Sequence, residues 1–194
     1  MKKLVLASAS PRRAELLGRV GIEFEVLESG AEEATAKGAP PADVALFNAR
    51  AKAKAGASAA GADRTVLAAD TVVALDGAIL GKPASKADAA KMLGLLSGRT
   101  HEVVTAVVLV SGGRARELVV STLVSFAKLG AGEIEWYVST GEPMDKAGAY
   151  GIQGGAAGFV KAVEGSYTNV VGLPLAETLK MLESEGFSPW GRKR

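Results

Sequence analysis

The chain contains no cysteine and a single histidine, His101, among its 194 residues. Without cysteine it cannot form a disulfide or a thiolate-bound metal site. With one histidine it cannot build a histidine-rich metal site or a mechanism that uses a histidine pair. We therefore expect its chemistry to depend on carboxylates, lysines, arginines and hydroxyl groups.

Net charge and long apolar runs are also scarce. The formal charge is only +2, so binding to a nucleic-acid polymer through a broad basic field is not predicted. No apolar run approaches the roughly 20 residues of a membrane span. The apolar start is cut off at Pro11, short of the roughly 7 to 15 residues of a signal h-region. These patterns predict a soluble, cytoplasmic protein with one large domain or two closely packed lobes.

The stretch 66–83 combines a buried-strand pattern with two charges. Asp70 interrupts an apolar, β-branched run, where an unpaired charge is costly. Asp76-Gly77 is a strong signal for a two-residue hairpin turn, so the segment after it should fold back and bring Lys82 near Asp70. Two explanations fit this pattern. One is a core strand whose aspartate bonds to local backbone, and the other is a site that presents a carboxylate and an ammonium together.

A second candidate site follows the first predicted strand. Ser10 is suited to cap a helix whose first position is Pro11, and free N–H groups at a helix start favour an anion. Ser8, Arg12 and Arg13 add hydroxyl and guanidinium donors suited to phosphate oxygens. Viewed alone, the segment is explained equally well as a capped surface helix with solvated arginines.

The rest of the chain alternates helices and strands. A helix predicted over 42–59 carries Lys52 and should place Val44, Phe47 and Ala51 on one face. Glycines within 145–155 indicate backbone that closely approaches a ligand or forms tight turns. The other predicted elements are strands at 24–27, 78–80, 103–110, 118–126 and 159–163, helices at 85–96, 133–138 and 175–185, and a loose basic tail at 191–194.

Familiar nucleotide and hydrolase motifs are absent. Segment 77–82 has one residue too few between its glycines for a P-loop, and Pro83 replaces the metal-binding Ser/Thr. There is no G-x-S-x-G, and His101 would be the only possible base of a serine triad. What remains is a set of cations and carboxylates that suits a polyphosphate bound with Mg²⁺. The cations are Arg12, Arg13, Lys52 and Lys82, and the carboxylates are Glu32, Glu33 and Asp70.

Six blocks, in this order over nearly the whole chain, resemble the Maf-like nucleoside triphosphate pyrophosphatases. The combination is highly specific, whereas any one block would be weak. The blocks are S-x-S-P-R-R-x-E-L-L at 8–17, A-D-T at 69–71, G-K-P at 81–83, L-S-G-x-T-H at 96–101, D-K-A-G-A-Y-G-I-Q-G at 145–154 and G-S-Y-x-N-V-V-G-L-P at 165–174.

The resemblance implies a single domain over 1–194 with an α/β fold of the Maf and inosine-triphosphatase type. That fold has an elongated, strongly bent mixed β-sheet flanked by helices, with two lobes and a central cleft, in a homodimer. The resemblance also implies hydrolysis of a nucleoside triphosphate to the monophosphate and pyrophosphate with a divalent cation, Mg²⁺ or Mn²⁺.

Residue roles follow from the same motifs. Asp70 would be the proton acceptor that activates water at the α-phosphorus and a metal ligand. Glu33 would help to hold the metal, with Glu32 as the alternative. Phosphate binding would fall to four side chains, Ser8, Arg13, Lys52 and Lys82.

Three positions that differ within the family resemble the branch acting on dTTP and UTP. They are Arg12, Thr71 and Gln153. A glutamine amide offers one donor and one acceptor, which matches the N3–H and a carbonyl of uracil or thymine. We therefore expect Gln153 to recognise the pyrimidine.

The residues before Lys52 depart from the family pattern. Phe47-Asn48 stands where small and apolar residues are expected, and Ala51 stands where an acidic residue is common.

The resemblance also leaves open a second function, a nucleotide-responsive regulator of cell division or septum formation with little need to hydrolyse its ligand. Retention of the carboxylates and lysines together favours the enzyme, because binding alone does not require a buried carboxylate beside the scissile phosphate.

Overall fold

The structure is a computed structural model that describes residues 3–34 and 38–189. The predicted tail at 191–194 lies outside these residues. Among the described helices, none has the length and apolar character needed to cross a membrane.

The strands are β1 Leu4–Leu6, β2 Glu25–Val26, β3 Thr65–Leu75, β4 Ala78–Leu80, β5 Thr100–Ser111, β6 Arg114–Phe126 and β7 Val160–Glu164. The α-helices are α1 Pro11–Arg19, α2 Pro41–Ala60, α3 Lys86–Leu96, α4 Ala131–Ser139, α5 Tyr167–Val171 and α6 Leu175–Glu183.

The strands form one mixed sheet. Its order is β2-β1-β3-β5-β6-β7, with β4 also paired to β3. β1 runs parallel to β2 and β3, whereas the β3–β4, β3–β5, β5–β6 and β6–β7 pairs are antiparallel. The predicted α/β class, with a mixed sheet flanked by helices, is confirmed. The division of a single domain into two lobes stays a prediction.

Helices cover both faces of the central strands. Because side chains alternate along a strand, β3 sends Val66 and Val72 to one apolar cluster and Leu67 and Val73 to another. The first cluster contains residues of α2, and the second contains residues of α1, α3, α4, α5 and α6. Consecutive residues of β3 therefore face different helices.

One edge of β3 is left open in its middle. β1 pairs with this edge only at 65–67, and β4 pairs with it only at 73–75. Within the described residues, no strand pairs with that edge at 68–72. The turn after β1 and the segment after β4 flank this gap. The topology therefore brings the two predicted phosphate-binding segments to Asp70 from either side.

Tight turns confirm the predicted hairpins. Asp76 and Gly77 both have positive φ, at 50° and 78°, as a type I′ turn requires. Gly112 and Gly113 also both have positive φ and join β5 to β6. Ser85 caps the start of α3, because its Oγ accepts a hydrogen bond from the N–H of Asp88.

Two local predictions need correction. Phe47 does not join the buried face of α2 and is 60% exposed. The helix instead buries a stripe that includes Val44 and Lys52. Its backbone lies so close to β1 that a Cβ on Gly56 would lie 2.6 Å from Cβ of Ala7. The second correction is α5, a short helix capped by Ser166, which is not among the predicted elements.

Candidate active site

The open edge of β3 lies in a cleft of about 1280 Å³. All nine predicted site residues line this cleft, although they come from distant parts of the chain. Glu32, the alternative metal ligand, does not line it. The nine residues are Ser8, Arg12, Arg13, Glu33, Lys52, Asp70, Thr71, Lys82 and Gln153.

Asp70 lies on the α2 face of the sheet, beside Lys52. It is 4% exposed, and its Oδ1 accepts a hydrogen bond from Lys52 Nζ at 2.6 Å. The same Nζ donates to Glu33 Oε1 at 2.6 Å. One buried ammonium therefore joins the two predicted metal-binding carboxylates. This geometry excludes the simpler explanation in which Asp70 bonds only to local backbone.

The charges around Glu33 favour its ionised form. Burial raises the pKa of Glu33, but the hydrogen bond and charge of Lys52, together with the charges of Lys82 and Arg13, outweigh that effect. The net result is a pKa of Glu33 below its ordinary value. The carboxylate is therefore ionised at neutral pH and available to a cation.

Asn48 completes this cluster and was not recognised as functional from the sequence. Its Nδ2 donates to Asp70 Oδ2 at 3.2 Å and to the carbonyl of Ala34 at 3.3 Å. Its Oδ1 accepts from the N–H of Ala34 at 2.8 Å. Asn48 thus ties the segment that carries Glu33 to Asp70. The available signal was an amide one helical turn before Lys52, on the same face of α2.

Arg13 lies on the opposite side of β3 and is buried. Its Nε donates to the carbonyl of Gly172 at 2.7 Å, its Nη1 to Ser8 Oγ at 3.1 Å and its Nη2 to Thr71 Oγ1 at 3.1 Å. A guanidinium has five N–H groups, so two remain for a ligand. Burial lowers the pKa of Arg13, partly offset by the charge of Asp70. These hydrogen-bond acceptors are all neutral, which leaves a buried positive charge suited to an anion.

The hydrogen-bond directions around Thr71 can be deduced. The Thr105 hydroxyl donates to the carbonyl of Asn169 at 3.1 Å, so in its 2.9 Å contact with Thr71 it acts as the acceptor. Thr71 therefore donates to Thr105 and accepts from Arg13. The Thr71 hydroxyl thus both donates and accepts a hydrogen bond within the protein, and it orients the Arg13 guanidinium.

The remaining predicted residues lie nearer solvent. Arg12 forms a 3.8 Å ion pair with Asp145, which joins α1 to the glycine-rich segment. Lys82 and Gln153 are exposed at the cleft. His101 does not line the cleft. It is 2% exposed and its Nε2 forms a 2.8 Å hydrogen bond with the Tyr150 hydroxyl.

The glycine-rich segment 145–155 packs closely against the β3–β4 hairpin. Gly148 has a φ of 69°, and a Cβ there would lie 2.9 Å from Val73 Cγ1. Its N–H donates to the carbonyl of Gly81 at 3.0 Å, the residue before Lys82. The glycines thus dock this segment onto the β3–β4 hairpin.

The α2 side of the cleft has the donors that a hard divalent cation prefers. Glu33 and Asp70 each place an oxygen 2.6 Å from the same ammonium, so they converge on one cation position. Among the described residues there is no cluster of three or more His, Cys, Asp or Glu side chains placed to hold a metal. Two carboxylates fit Mg²⁺, which commonly takes one or two protein carboxylates and completes its shell with phosphate oxygens and water.

The sequence and the fold were compared with those of known proteins. The family model described as "Maf-like protein" matches residues 3–185. The chain is 53% identical to a dTTP/UTP pyrophosphatase of Moorella thermoacetica, over 99% of this chain and 100% of that protein. It is 48% identical to a dTTP/UTP pyrophosphatase of Salmonella typhimurium, over 94% of this chain and 92% of that protein. The solved Ham1 protein of Staphylococcus aureus has a TM-score of 0.55 and 17% identity, covering 95% of this chain and 100% of that one, which supports the fold.

Proposed function

We propose, from the premise that this chain belongs to the Maf family, that it hydrolyses dTTP, UTP and related pyrimidine nucleotides to the monophosphate and pyrophosphate. Relatives at about half identity over nearly the whole chain carry the name dTTP/UTP pyrophosphatase. The observation that carries the proposal is the buried Asp70 carboxylate, held beside Lys52 and Glu33 in a cleft whose other side carries Arg13.

Asp70 is proposed as the general base at the α-phosphorus. The Lys52 ammonium donates a hydrogen bond to one oxygen of the Asp70 carboxylate, and Asn48 fixes the second oxygen, so a water molecule in the cleft meets an oriented acceptor. General-base catalysis of this kind contributes about 10²- to 10⁴-fold. The proton of the attacking water passes to Asp70 as the bond between the α-phosphorus and the bridging oxygen breaks. Pyrophosphate leaves with that oxygen.

Phosphate binding is assigned to Ser8, Arg13, Lys52 and Lys82. Arg13 has two free N–H groups and no carboxylate among its hydrogen-bond partners, so it can neutralise charge on the leaving group. Glu33 and Asp70 would hold Mg²⁺ or Mn²⁺. When bound, the cation would polarise the phosphoryl group and offset charge in the transition state.

Pyrimidine selectivity is assigned to Gln153, with Arg12 in support, whereas Thr71 is assigned to the orientation of Arg13. The Gln153 amide can meet the N3–H and one carbonyl of uracil or thymine with complementary groups. Thr71 acts through Arg13, because its hydroxyl is occupied by Arg13 and Thr105. We further propose that the protein works in the cytoplasm as a homodimer of single, two-lobed domains.

Product analysis tests this function. Purified protein is incubated with a panel of nucleoside triphosphates and Mg²⁺ or Mn²⁺ in ¹⁸O-labelled water, and the products are identified by mass spectrometry. We expect UMP or TMP with pyrophosphate, and ¹⁸O in the monophosphate, because water attacks the α-phosphorus. UDP with orthophosphate would indicate a broad phosphatase and contradict the proposal.

The same assay separates the enzyme from the regulatory alternative. A nucleotide-responsive regulator of cell division would bind UTP tightly without turnover, and Asp70→Asn would leave that behaviour unchanged. The pairing of Asp70 and Glu33 through one ammonium does not favour this alternative, because two carboxylates placed where an anionic ligand binds, one of them buried, oppose simple binding.

A further inference from the structure

The loop that carries Gln153 is held at both ends by two side chains. The N–H of Gly151 donates to the Tyr137 hydroxyl at 3.0 Å. The N–H of Gly155 donates to Glu142 Oε2 at 3.0 Å. The Tyr137 hydroxyl in turn donates to Glu142 Oε1 at 2.9 Å. The two side chains are therefore joined to each other, and Gln153 lies midway between the two tethered glycines.

Tyr137 gives this network a rigid base. Its side chain is fully buried and packs edge-on against Phe159, with ring centroids 5.3 Å apart. Burial raises the pKa of Tyr137 above its ordinary value, and the hydrogen bond to Glu142 raises it further. The hydroxyl is therefore protonated at neutral pH and always has a proton to donate to the carboxylate.

Glu142 packs directly against the loop as well as bonding to it. A Cβ on Gly154 would overlap the Glu142 carboxylate. Gly154 has φ −109° and ψ −146°, so its φ is not in the left-handed region that favours glycine. A Cβ at this position would therefore have to displace the Glu142 carboxylate. Lys146 Nζ donates to the Glu142 carbonyl at 2.8 Å and holds the backbone of that residue.

We propose that Tyr137 and Glu142 are positioning residues for base selectivity, which fix the backbone of 151–155 so that the Gln153 amide meets the base in one position. This inference rests on the proposed function, in which Gln153 recognises the pyrimidine. A site discriminates between bases by leaving the wrong partner with unpaired polar groups, and it can do so only if its own amide cannot shift to satisfy them. Tyr137 itself does not line the cleft, so its effect must pass through the loop.

Two substitutions loosen the loop. Glu142 lines the cleft and Tyr137 does not, so Tyr137→Phe is the variant that acts through the loop alone. Tyr137→Phe removes the hydroxyl that joins Gly151 to Glu142. Glu142→Gln replaces a carboxylate that accepts two hydrogen bonds with an amide that has one acceptor oxygen. We expect each variant to lower the UTP-to-GTP ratio of kcat/KM by about five- to tenfold, the worth of one net hydrogen bond, mainly through the KM for UTP.

The matched control is Glu133→Gln. Glu133 Oε2 also accepts a backbone N–H, that of Gly130 at 2.6 Å, but it caps the start of α4 and does not line the cleft. It should leave the UTP-to-GTP ratio unchanged. A lowered melting temperature with an unchanged ratio in both Tyr137→Phe and Glu142→Gln would make the network merely structural and overturn the proposal.

A readout without turnover separates this inference from the proposed function. Dissociation constants of α,β-imido analogues of UTP and GTP should show the same loss of selectivity, and backbone amides in 151–155 should exchange hydrogen faster in both variants. Unchanged exchange there would contradict the proposal even if activity fell. A wild-type protein with no preference for UTP would contradict the proposed function instead, before any variant is made.

Gly154→Ala tests the contact from the loop side. We expect it to lower the same ratio, because its Cβ displaces the Glu142 carboxylate. In a Glu142→Ala background the obstacle is gone, so the second substitution should have little further effect. Fully additive losses in the double variant would mean that the loop does not act through Glu142.

Discussion

His101 does not line the cleft, but it should make the folding stability fall between neutral pH and pH 5. Burial lowers its pKa to about 4, whereas in the unfolded chain the ordinary value is about 6.5. Nδ1 is buried and has no hydrogen-bond partner among the described residues, so protonation would place a charged donor where nothing can accept from it. The folded protein therefore holds the neutral ring, packed edge-on against Phe126 and Tyr150.

The sign and size of the effect follow from these two pKa values. Between them, the unfolded chain binds more protons than the folded chain, so lowering the pH favours unfolding. From pH 7 to pH 5 the linked loss is about 2 kcal/mol of unfolding free energy. Because His101 is the only histidine, no other side chain has an ordinary pKa in that range. The depressed pKa of Glu33 matters only at lower pH.

Urea denaturation of the wild type and His101→Phe at both pH values measures this loss. Phenylalanine keeps an aromatic ring in the cluster but cannot titrate, so the variant should lose less than about 0.5 kcal/mol between the two pH values. Comparing differences within each protein removes any overall destabilisation by the substitution. Equal losses in the two proteins, or no loss in the wild type, would refute the assignment of a buried neutral imidazole.

Three further substitutions test the site itself. Asp70→Asn should keep the fold, since its amide oxygen can still accept from Lys52, but should lower kcat about 10²- to 10⁴-fold in steady-state assays; near-normal turnover would place the base elsewhere. Gln153→Glu should lower the UTP-to-GTP ratio of kcat/KM, and an unchanged ratio would show that this amide does not recognise the base. Thr71→Val removes the acceptor that orients Arg13 and should weaken binding of UTP and GTP analogues alike, by about five- to tenfold. Thr71→Ser should restore binding. A loss confined to one base would make Thr71 a direct base contact.

Features that depend on neighbouring residues could be predicted from the sequence. Asp76-Gly77 specified a type I′ turn because few residue pairs accept two positive φ angles. The turn then fixed the β3–β4 register. The prediction failed for Phe47, because α2 is so rich in alanine that the spacing of its few large apolar residues does not define which face is buried. The buried face instead includes Gly56, where a Cβ would lie very close to Ala7 and Val66.

Features that depend on distant partners could not be predicted in the same way. Asn48 was noted only as a departure from a pattern, since its importance arises from contacts with Ala34 and Asp70. Glu142 lies outside every quoted block, and only the folded chain shows that it bonds to Gly155. Both residues support groups that were predicted. Sequence motifs thus identified the groups proposed to meet the substrate, and the structure was needed to identify those that hold them.

The position of Lys52 between two carboxylates can be reconciled with a role in phosphate binding. The α2 side of the cleft has a formal excess of one negative charge, from Glu33, Lys52 and Asp70. The other side is positive. Arg13 is buried there and hydrogen-bonds only to neutral acceptors, and Lys82 lies at the cleft. A triphosphate that carries a divalent cation has the complementary separation of charge. Charge interactions are stronger in a buried site than in water, so the two carboxylates gain more from a divalent cation than from one ammonium. With such a ligand bound, we expect that Lys52 would leave the carboxylates and bind a phosphate oxygen, in line with the role proposed for it.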